Sequence, residues 1–225
     1  MDFNINDVAV YPGKGVGRIS AIEKRSVPGL SGEIEVYILD FPSNAKNESD
    51  ISSRLEVPVK NASRQKMRAI MSLDRIEVIC NILRIRGLEP STQTWNRRYR
   101  DYITKIATGE PAEIAEVLRD LALLKVKKNL SFGERKMYDQ ALSLIIEEWS
   151  HALQVHSSDH KDLDLNIVRE EIKAEIDEIF RPDAEAAAKL QEAKVKKKKG
   201  SRTRSTTKST QDSQESQSKE EPKEG

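Results

Sequence analysis

Short runs of alternating apolar and polar residues fill the first sixty positions of the chain. A period of two is typical of strands with one buried face, and it is clearest at Ile34, Val36 and Ile38 and at Leu55, Val57 and Val59. Pro58 indicates that the second of these strands either lies at a sheet edge or ends near this proline. Two earlier runs, Val8–Tyr11 and Val16–Ile22, are joined by the turn-forming residues Pro12-Gly13-Lys14-Gly15. Four or five such strands predict a small β-barrel.

Beyond the first sixty residues, apolar positions recur every three or four residues, which predicts helices. Gly87 and Pro90 end the first helix, Pro111 suits the first turn of a later one, and Ser131 with Glu134 has the spacing of a capping box. Each apolar stripe needs a partner, so we expect a helical bundle. The stripes are Met67, Ile70, Met71, Ile76, Ile79, Cys80 and Leu83; Tyr99, Tyr102, Ile103 and Ile106; Ile114, Val117, Leu118, Leu121 and Leu124; Leu142, Ile145, Ile146, Trp149 and Leu153; and Leu165, Val168, Ile172, Ile176 and Ile179.

The character of the chain changes after Pro182. Ala184–Lys199 is expected to form a frayed helix. Gly200–Gly225 contains no aliphatic or aromatic side chain apart from one proline, so it is expected to be disordered, because it cannot offset the entropy of ordering. We therefore predict an α+β protein in four segments: a barrel over 1–62, an all-α helical domain over 63–155, an acidic amphipathic helix over 156–182 and a basic low-complexity tail over 183–225.

The net charge of +1 conceals a strong segregation of charge. Residues 63–140 carry 16 basic and 10 acidic side chains, whereas residues 141–180 carry 3 basic and 10 acidic ones. Electrostatic fields act over ~8–10 Å at physiological salt, so these local sums matter more than the total. The basic middle of the chain indicates a polyanionic partner.

Several classes of function find no support in the sequence. No apolar run approaches the ~20 residues that cross a bilayer, and the N-terminus is acidic where a secretion signal is basic, so a cytoplasmic location is expected. Cys80 lies on an apolar stripe and is expected to be a core residue. The histidines His151, His156 and His160 lack ligand partners at metal-site spacing and are expected to be exposed or in loops. No catalytic residue, cofactor or metal is indicated.

The main chemical signal is Trp95, which follows a polar linker and precedes Arg97, Arg98 and Arg100. A helix start favours anions, so arginines there are unfavourable unless an external anion such as phosphate is bound. On spacing alone a plainer interpretation is favoured, in which Trp95 is a hydrophobic staple and the arginines form a solvated face.

A second basic group supports nucleic-acid binding. It lies near Trp95 if the turn at Asn129-Leu130 folds two helices back on each other. An apolar side chain among basic ones is typical of minor-groove contacts, where the former wedges at a base step and the latter hold phosphates. The group consists of Lys125, Lys127, Lys128, Arg135 and Lys136.

In their order and spacing, two sets of residues resemble the CarD/CdnL family of bacterial RNA polymerase-binding transcription regulators. The resemblance covers about residues 1–155. The N-terminal set is Phe3, Asp7, Val10-Tyr11-Pro12, Gly15, Ile19, Ile22-Glu23, Tyr37, Val57-Pro58 and Asn61-Ala62. The C-terminal set is Trp95, Arg97-Arg98-Tyr99, Gly109, Ile114-Ala115-Glu116-Val117, Arg119-Asp120-Leu121, Leu130-Ser131 and Glu134-Arg135.

The resemblance implies a Tudor-like barrel, of the SH3-like kind, that binds the RNA polymerase β subunit, and a helical domain that binds promoter DNA without reading its sequence. Trp95 is implied to wedge into the minor groove at the upstream edge of the melted bubble and so to stabilise the open complex. The residues implied to lie toward the DNA backbone are Arg97, Arg98, Arg100 and Arg135, to which we add Lys136 from the second basic group.

The resemblance also implies that Arg25 and Val27 contact the polymerase. Glu56 occupies a position that is often basic in relatives, which makes Arg54 a candidate substitute on the same face. No cofactor, membrane or catalytic activity is implied, and we expect a monomer. The Lys196–Lys199 run is expected to add non-specific affinity for DNA.

Two other functions remain open at this point. The main alternative is a protein-interaction module on the polymerase that makes no DNA contact, like the related domain of the transcription-repair coupling factor. An architectural DNA-binding protein independent of polymerase is disfavoured, because residues 1–62 are net acidic.

Overall fold

An antiparallel sheet of five strands and five α-helices form the described part of the protein. The computed structural model describes residues 2–26, 32–41, 53–86, 94–156 and 164–211, the stretch 191–211 as backbone only. The strands are β1 Val8–Tyr11, β2 Gly15–Ser26, β3 Glu33–Phe41, β4 Ser53–Pro58 and β5 Arg68–Ala69, in the sheet order β4-β3-β2-β1-β5. The predicted α+β class and strand number are confirmed. The sheet is nevertheless open across the described residues, with β4 and β5 at its edges, so the barrel is not closed.

The predicted turn between the first two strands is present. β1 and β2 pair from Val8 with Arg18 to Tyr11 with Gly15, so that a tight hairpin encloses residues 12–14. Gly13 has φ of 74° and Gly15 has φ of 96°, in the left-handed region that glycine adopts at little cost. The glycines therefore serve the hairpin.

β3 is buried on both faces, which the period-two pattern did not predict. All of residues 36–39 are buried. Val36 and Ile38 lie on the face opposite the core of the sheet, because side chains alternate along a strand. On that face Arg25 of β2 bonds to Glu56 of β4 at 3.2 Å, so this ion pair spans β3. The long charged side chains of the neighbouring strands cover the apolar residues of β3.

The end of the sheet and the start of the helices differ in detail from the predicted boundaries. Pro58 ends the edge strand β4, as predicted, but the residues after it form the 3₁₀ turn Val59–Asn61, so Val59 is not in the strand. The first helix begins only at Leu73. Met67 belongs to the core of the sheet and Met71 to the core of the helices, so these apolar residues fill two cores before the helix begins.

The helices share one apolar core. They are α1 Leu73–Arg84, α2 Trp95–Thr108, α3 Pro111–Lys127, α4 Phe132–His156 and α5 Leu165–Gln211. Pro111 is the first residue of α3, as predicted, where its missing N–H has no intrahelical partner to lose. Cys80 is buried as predicted, and burial raises the pKa of its thiol.

The acidic helix is part of this core rather than an attachment to it. Val168, Ile172, Ile176 and Phe180 are buried among residues of α1, α3 and α4. The backbone helix continues through Pro182 to Gln211, so it passes the predicted boundary at Lys199, and residues 212–225 lie outside the described part. By contacts the chain divides into the units Met1–Phe180 and Arg181–Gly225.

The sheet and the helices are joined by a buried ion pair. Arg68 of β5 donates Nη2 to Glu148 Oε2 of α4 at 2.9 Å and to the Gly109 carbonyl at 2.6 Å. Glu148 also accepts a bond from the Met71 N–H at 3.1 Å. Gly109, the left-handed residue that ends α2, lies so close to the hairpin that a Cβ atom there would be 3.1 Å from Pro12 Cα. Two separate contacts therefore fix the sheet against the helices.

The histidine prediction is wrong for His151. This residue is buried in α4, and its Nε2 lies 3.3 Å from Glu147 Oε1. Arg169 of α5 also donates two bonds to Glu147, at 2.8 and 3.0 Å. Burial alone would raise the pKa of Glu147, but these partners hold it below its usual value. His151 therefore belongs to a buried link between α4 and α5. His156 is exposed at the end of α4, and His160 lies outside the described residues.

Candidate nucleic-acid interface

Trp95 is the first residue of α2 and is partly buried against the helical core. Its ring lies 5.4 Å from that of Tyr99, and the Arg98 guanidinium lies over it at 5.6 Å. A Cβ atom on Gly133 would be only 3.1 Å from Trp95 Cζ2, so the indole rests on the backbone of α4. The ring is thus held by α2 and α4 and is neither fully exposed nor sealed in the core.

Arg98 has a different environment from the other arginines of this segment. Its side chain is only 13% exposed and donates to Glu134 Oε1 at 3.1 Å. Lys128 binds the same carboxylate at 3.1 Å. Much of the charge of Arg98 is therefore used within the protein, although the resemblance implied a DNA contact for it.

Glu134 also completes the predicted capping box, which is confirmed. Ser131 N–H donates to Glu134 Oε2 at 2.9 Å, and Glu134 N–H donates to Ser131 Oγ at 3.3 Å. Burial would raise the pKa of Glu134, but the bonds from Ser131, Lys128 and Arg98 lower it from 4.5 to about 2. The sequence predicted the cap, whereas the ion pairs depend on how α2, α3 and α4 pack.

The remaining predicted DNA contacts are exposed cations. Arg97 and Arg100 lie on the first turns of α2, and Arg135 and Lys136 on the first turn of α4. None of the four forms an ion pair with another described residue. The Trp95–Gly133 and Arg98–Glu134 contacts bring the two helix starts together, so the four cations lie on the surface formed by these neighbouring starts, where Lys136 also lines a cleft beside residues 13–16. We call this surface, with Trp95, the basic aromatic face.

One member of the second basic group, Lys128, reaches this face across the short turn. Asn129 and Leu130 lie between α3 and α4, and Lys128 reaches the Glu134 carboxylate that Arg98 also binds. Lys125 instead lies over the Tyr138 ring at 4.6 Å. Lys127 is exposed at the end of α3. Lys128 is therefore linked to Trp95 through Glu134 and Arg98, whereas Lys125 is occupied by Tyr138.

One aromatic residue of the basic aromatic face was missed. Phe132, the first residue of α4, is 87% exposed. The signal was available, since Phe132 follows the capping serine and falls off the apolar stripe of its helix.

The predicted polymerase contacts lie on one face of the sheet. Arg25 bonds to Glu23 at 2.9 Å and to Glu56 at 3.2 Å. Arg54 donates to Asp40 at 2.8 Å. Register pairs Arg54 with Asp40 and Glu56 with Ile38, so the two β4 residues share a face, as predicted. Val27, the third predicted contact, lies outside the described residues.

Two properties of the described residues bear on other functions. No helix among them combines the length and the apolar character needed to cross a membrane. No group of three or more His, Cys, Asp or Glu side chains within those ranges is arranged to hold a metal ion.

The chain thus combines a small sheet that has a charged outer face with helices that carry the basic aromatic face. Two family models match it: the CarD-like/TRCF RID domain over residues 3–71 and the CarD C-terminal domain over residues 78–163. The chain is also 31% identical over 146 residues to a Bacillus subtilis (strain 168) protein named "Putative transcription factor YdeB", covering 65% of this chain and 89% of that protein. The chain belongs to the CarD-like family of transcription regulators.

Proposed function

We propose that this protein binds the RNA polymerase β subunit through the outer face of its sheet and stabilises the promoter open complex. In this proposal the helices present Trp95 to the minor groove at the upstream edge of the melted bubble. Arg97, Arg100, Arg135 and Lys136 hold the phosphates around it. The protein acts as a monomer, reads no base sequence and performs no catalysis.

The observation that carries the DNA half of the proposal is the position of Trp95. Its ring lies where the starts of α2 and α4 meet, among exposed cations with no partner in the described structure. Thr94, the residue before α2, makes no side-chain cap, so the start of this helix keeps N–H groups available for an anion. In this proposal the DNA phosphates bound here compensate the arginine charges that are unfavourable at a helix start.

Stabilisation by a wedge needs a contact that exists only in the open form. A ligand shifts an equilibrium by its difference in affinity for the two states. A differential affinity of ~1.4 kcal/mol would change the ratio of open to closed promoter tenfold. A single aromatic side chain stacked at a base step supplies ~1–3 kcal/mol, so Trp95 is sufficient in magnitude.

In this proposal Arg98 acts as a positioning residue rather than as a phosphate contact. Its guanidinium lies over the indole and is held by the buried Glu134 carboxylate. That network fixes the angle at which the ring leaves the surface. The exposed neighbours Arg97 and Arg100 remain available to DNA.

The rigid joint between sheet and helices supports the coupling of the two halves. A wedge is useful only if the polymerase-bound part of the protein holds it at the right place on the promoter. The Arg68–Glu148 pair and the contact of Gly109 with Pro12 supply such a connection.

The experiment for the DNA half compares Trp95→Ala with Ile103→Ala, a control two turns along the same face of α2 that is 43% exposed. The lifetime of open complexes is measured after challenge with a competitor, together with binding to polymerase alone. Trp95→Ala is expected to shorten the lifetime about tenfold and to leave polymerase binding unchanged. A wild-type lifetime would overturn the wedge.

The polymerase half is tested by a charge reversal with a matched neighbour. Arg25→Glu places a third acidic group beside Glu23 and Glu56, and it is expected to abolish capture of the isolated β subunit. Lys24→Glu makes the same change of charge on the opposite face of β2 and should leave capture intact. Equal loss in both variants would point to net charge rather than to this face.

One observation favours the alternative of a polymerase-bound module without DNA contact. Trp95 makes intramolecular contacts with Tyr99, Arg98 and Gly133, as a purely structural residue would. Under this alternative, Trp95→Ala reduces the free energy of unfolding, and open complexes formed at saturating protein have the same lifetime as with the wild type.

A further inference from the structure

We propose that Phe132 is a second aromatic DNA contact, inserting beside Trp95 at the edge of the melted bubble. The inference rests on the proposed function and extends it to a residue on a different helix. Its side chain is 87% exposed at the first position of α4, the highest exposure among the large apolar side chains of the described ranges up to residue 190.

Phe132 lies next to the indole. Gly133, its neighbour in the chain, packs against Trp95, and adjacent Cα atoms are about 3.8 Å apart. The backbone of Phe132 is therefore within about 9 Å of the Trp95 ring. Tyr99, which contacts Trp95 directly, is itself 40% exposed. The start of α4 therefore places the backbone of Phe132 beside the Trp95–Tyr99 pair.

The fold gives no account of an apolar side chain at this position. Ala141 is nine residues later, about two and a half helical turns, and it is fully buried. Phe132 consequently faces directly away from the core. Phenylalanine is also a weaker helix former than alanine, so the residue supports neither the helix nor the packing.

The charge around Phe132 favours DNA as the occupant. Arg135 and Lys136 follow it by three and four positions, on the same side of α4, and both are exposed. The acidic residue of this turn, Glu134, is buried and bonded to Arg98 and Lys128, so its charge is compensated. An exposed aromatic ring can stack on the flat face of an unpaired base, and the neighbouring cations can bind the adjacent phosphates.

The experiment compares Phe132→Ala, Trp95→Ala and the double variant for open-complex lifetime on a linear promoter fragment. Affinity is also measured for a duplex with a pre-melted bubble across a range of salt. Phe132→Ala is expected to shorten the lifetime about three- to tenfold with no change in the salt slope, because no charge is removed. Arg135→Ala should instead reduce that slope by about one. The double variant should shorten the open-complex lifetime by less than the product of the two single effects, because the neighbouring rings would contact the same base step.

The control is Val155→Ala, which removes a 58% exposed apolar side chain at the opposite end of α4 and should behave as wild type. A shortened lifetime in Trp95→Ala alone overturns the inference and leaves the proposed function standing. Unchanged lifetimes in both single variants overturn both proposals. Weaker capture of free polymerase by Phe132→Ala would make the residue a protein contact and also overturn the inference.

Discussion

The Arg68 guanidinium meets the Glu148 carboxylate at 2.9 Å where the sheet joins the helices, and the Glu148 side chain is only 5% exposed. Removing one partner of a buried pair leaves an uncompensated charge. Arg68→Met is therefore expected to lower the free energy of unfolding by about 3 kcal/mol, measured by denaturant titration. Adding Glu148→Leu should recover part of the loss, because no unpaired carboxylate then remains.

A matched surface pair provides the control. Arg54 and Asp40 also form an ion pair, but the Arg54 side chain is 64% exposed. Arg54→Ala is expected to leave the free energy of unfolding almost unchanged, because solvent screens this exposed pair. Similar losses for Arg54→Ala and Arg68→Met would show that burial does not distinguish the two pairs.

Gly133→Ala is expected to displace the Trp95 ring without unfolding the protein. The added Cβ atom would lie 3.1 Å from Cζ2, closer than a comfortable contact, while alanine raises helix propensity by up to about 1 kcal/mol. We predict that a neutral collisional quencher quenches a larger fraction of the tryptophan emission. The added quenching comes from Trp95, because Trp149 is only 2% exposed. Thermal unfolding checks that the fold survives. An unchanged quenching curve would show that the indole does not rest on Gly133.

Ile176→Ala and Ile167→Ala test the place of α5 in the core. Ile176 is fully buried and Ile167 is 53% exposed, so the same truncation removes a core side chain in one variant and a surface side chain in the other. Ile176→Ala is expected to cost about 2–5 kcal/mol and Ile167→Ala less than about 0.5 kcal/mol. A small effect of Ile176→Ala would mean that α5 is not packed on the other helices.

Stability should depend on pH through Glu134. Its pKa is about 2 in the folded protein and near 4.5 when unfolded, so the unfolded chain binds more protons between these values. The contribution is complete above about pH 4.5 and is lost as the pH falls toward 2. Glu134→Gln should lower stability at neutral pH and flatten the decline over that interval in denaturant titrations. Parallel pH curves for the two proteins would contradict the assignment.

The basic tail is expected to contribute to the salt dependence of DNA binding. Ending the chain after Phe180 removes Lys196–Lys199 and should reduce the slope of log affinity against log salt. Replacing these four lysines by glutamine in the full-length chain separates their charge from the length of the tail. A slope that is unchanged in both proteins would discard the contribution.

The sequence predicted local features well because they depend on neighbours in the chain. Turn residues 12–15, the Ser131–Glu134 cap and the helical start at Pro111 all follow from backbone conformation or from short-range hydrogen bonds. The sequence also predicted that one face of α5 is buried, because its apolar residues recur at helical spacing.

Features that depend on tertiary packing were not accessible in the same way. β3 is covered on its second face by an ion pair between two other strands, which alternation within β3 does not reveal. His151 is buried because Glu147 and Arg169 come together from two helices. In the candidate interface, Arg97 and Arg98 are adjacent in sequence, and only the packing of α4 turns one of them inward.

The burial of α5 links the length of the protein to the composition of its first helix. Cys80 and Leu83 of α1 lie in the core that α5 helps to enclose, and Arg86 donates to the Ile179 carbonyl at 2.8 Å. A homologue that ends before this helix would present the same side of α1 to water. We expect such shorter homologues to carry polar or smaller side chains at these positions, so that chain length and surface chemistry have diverged together.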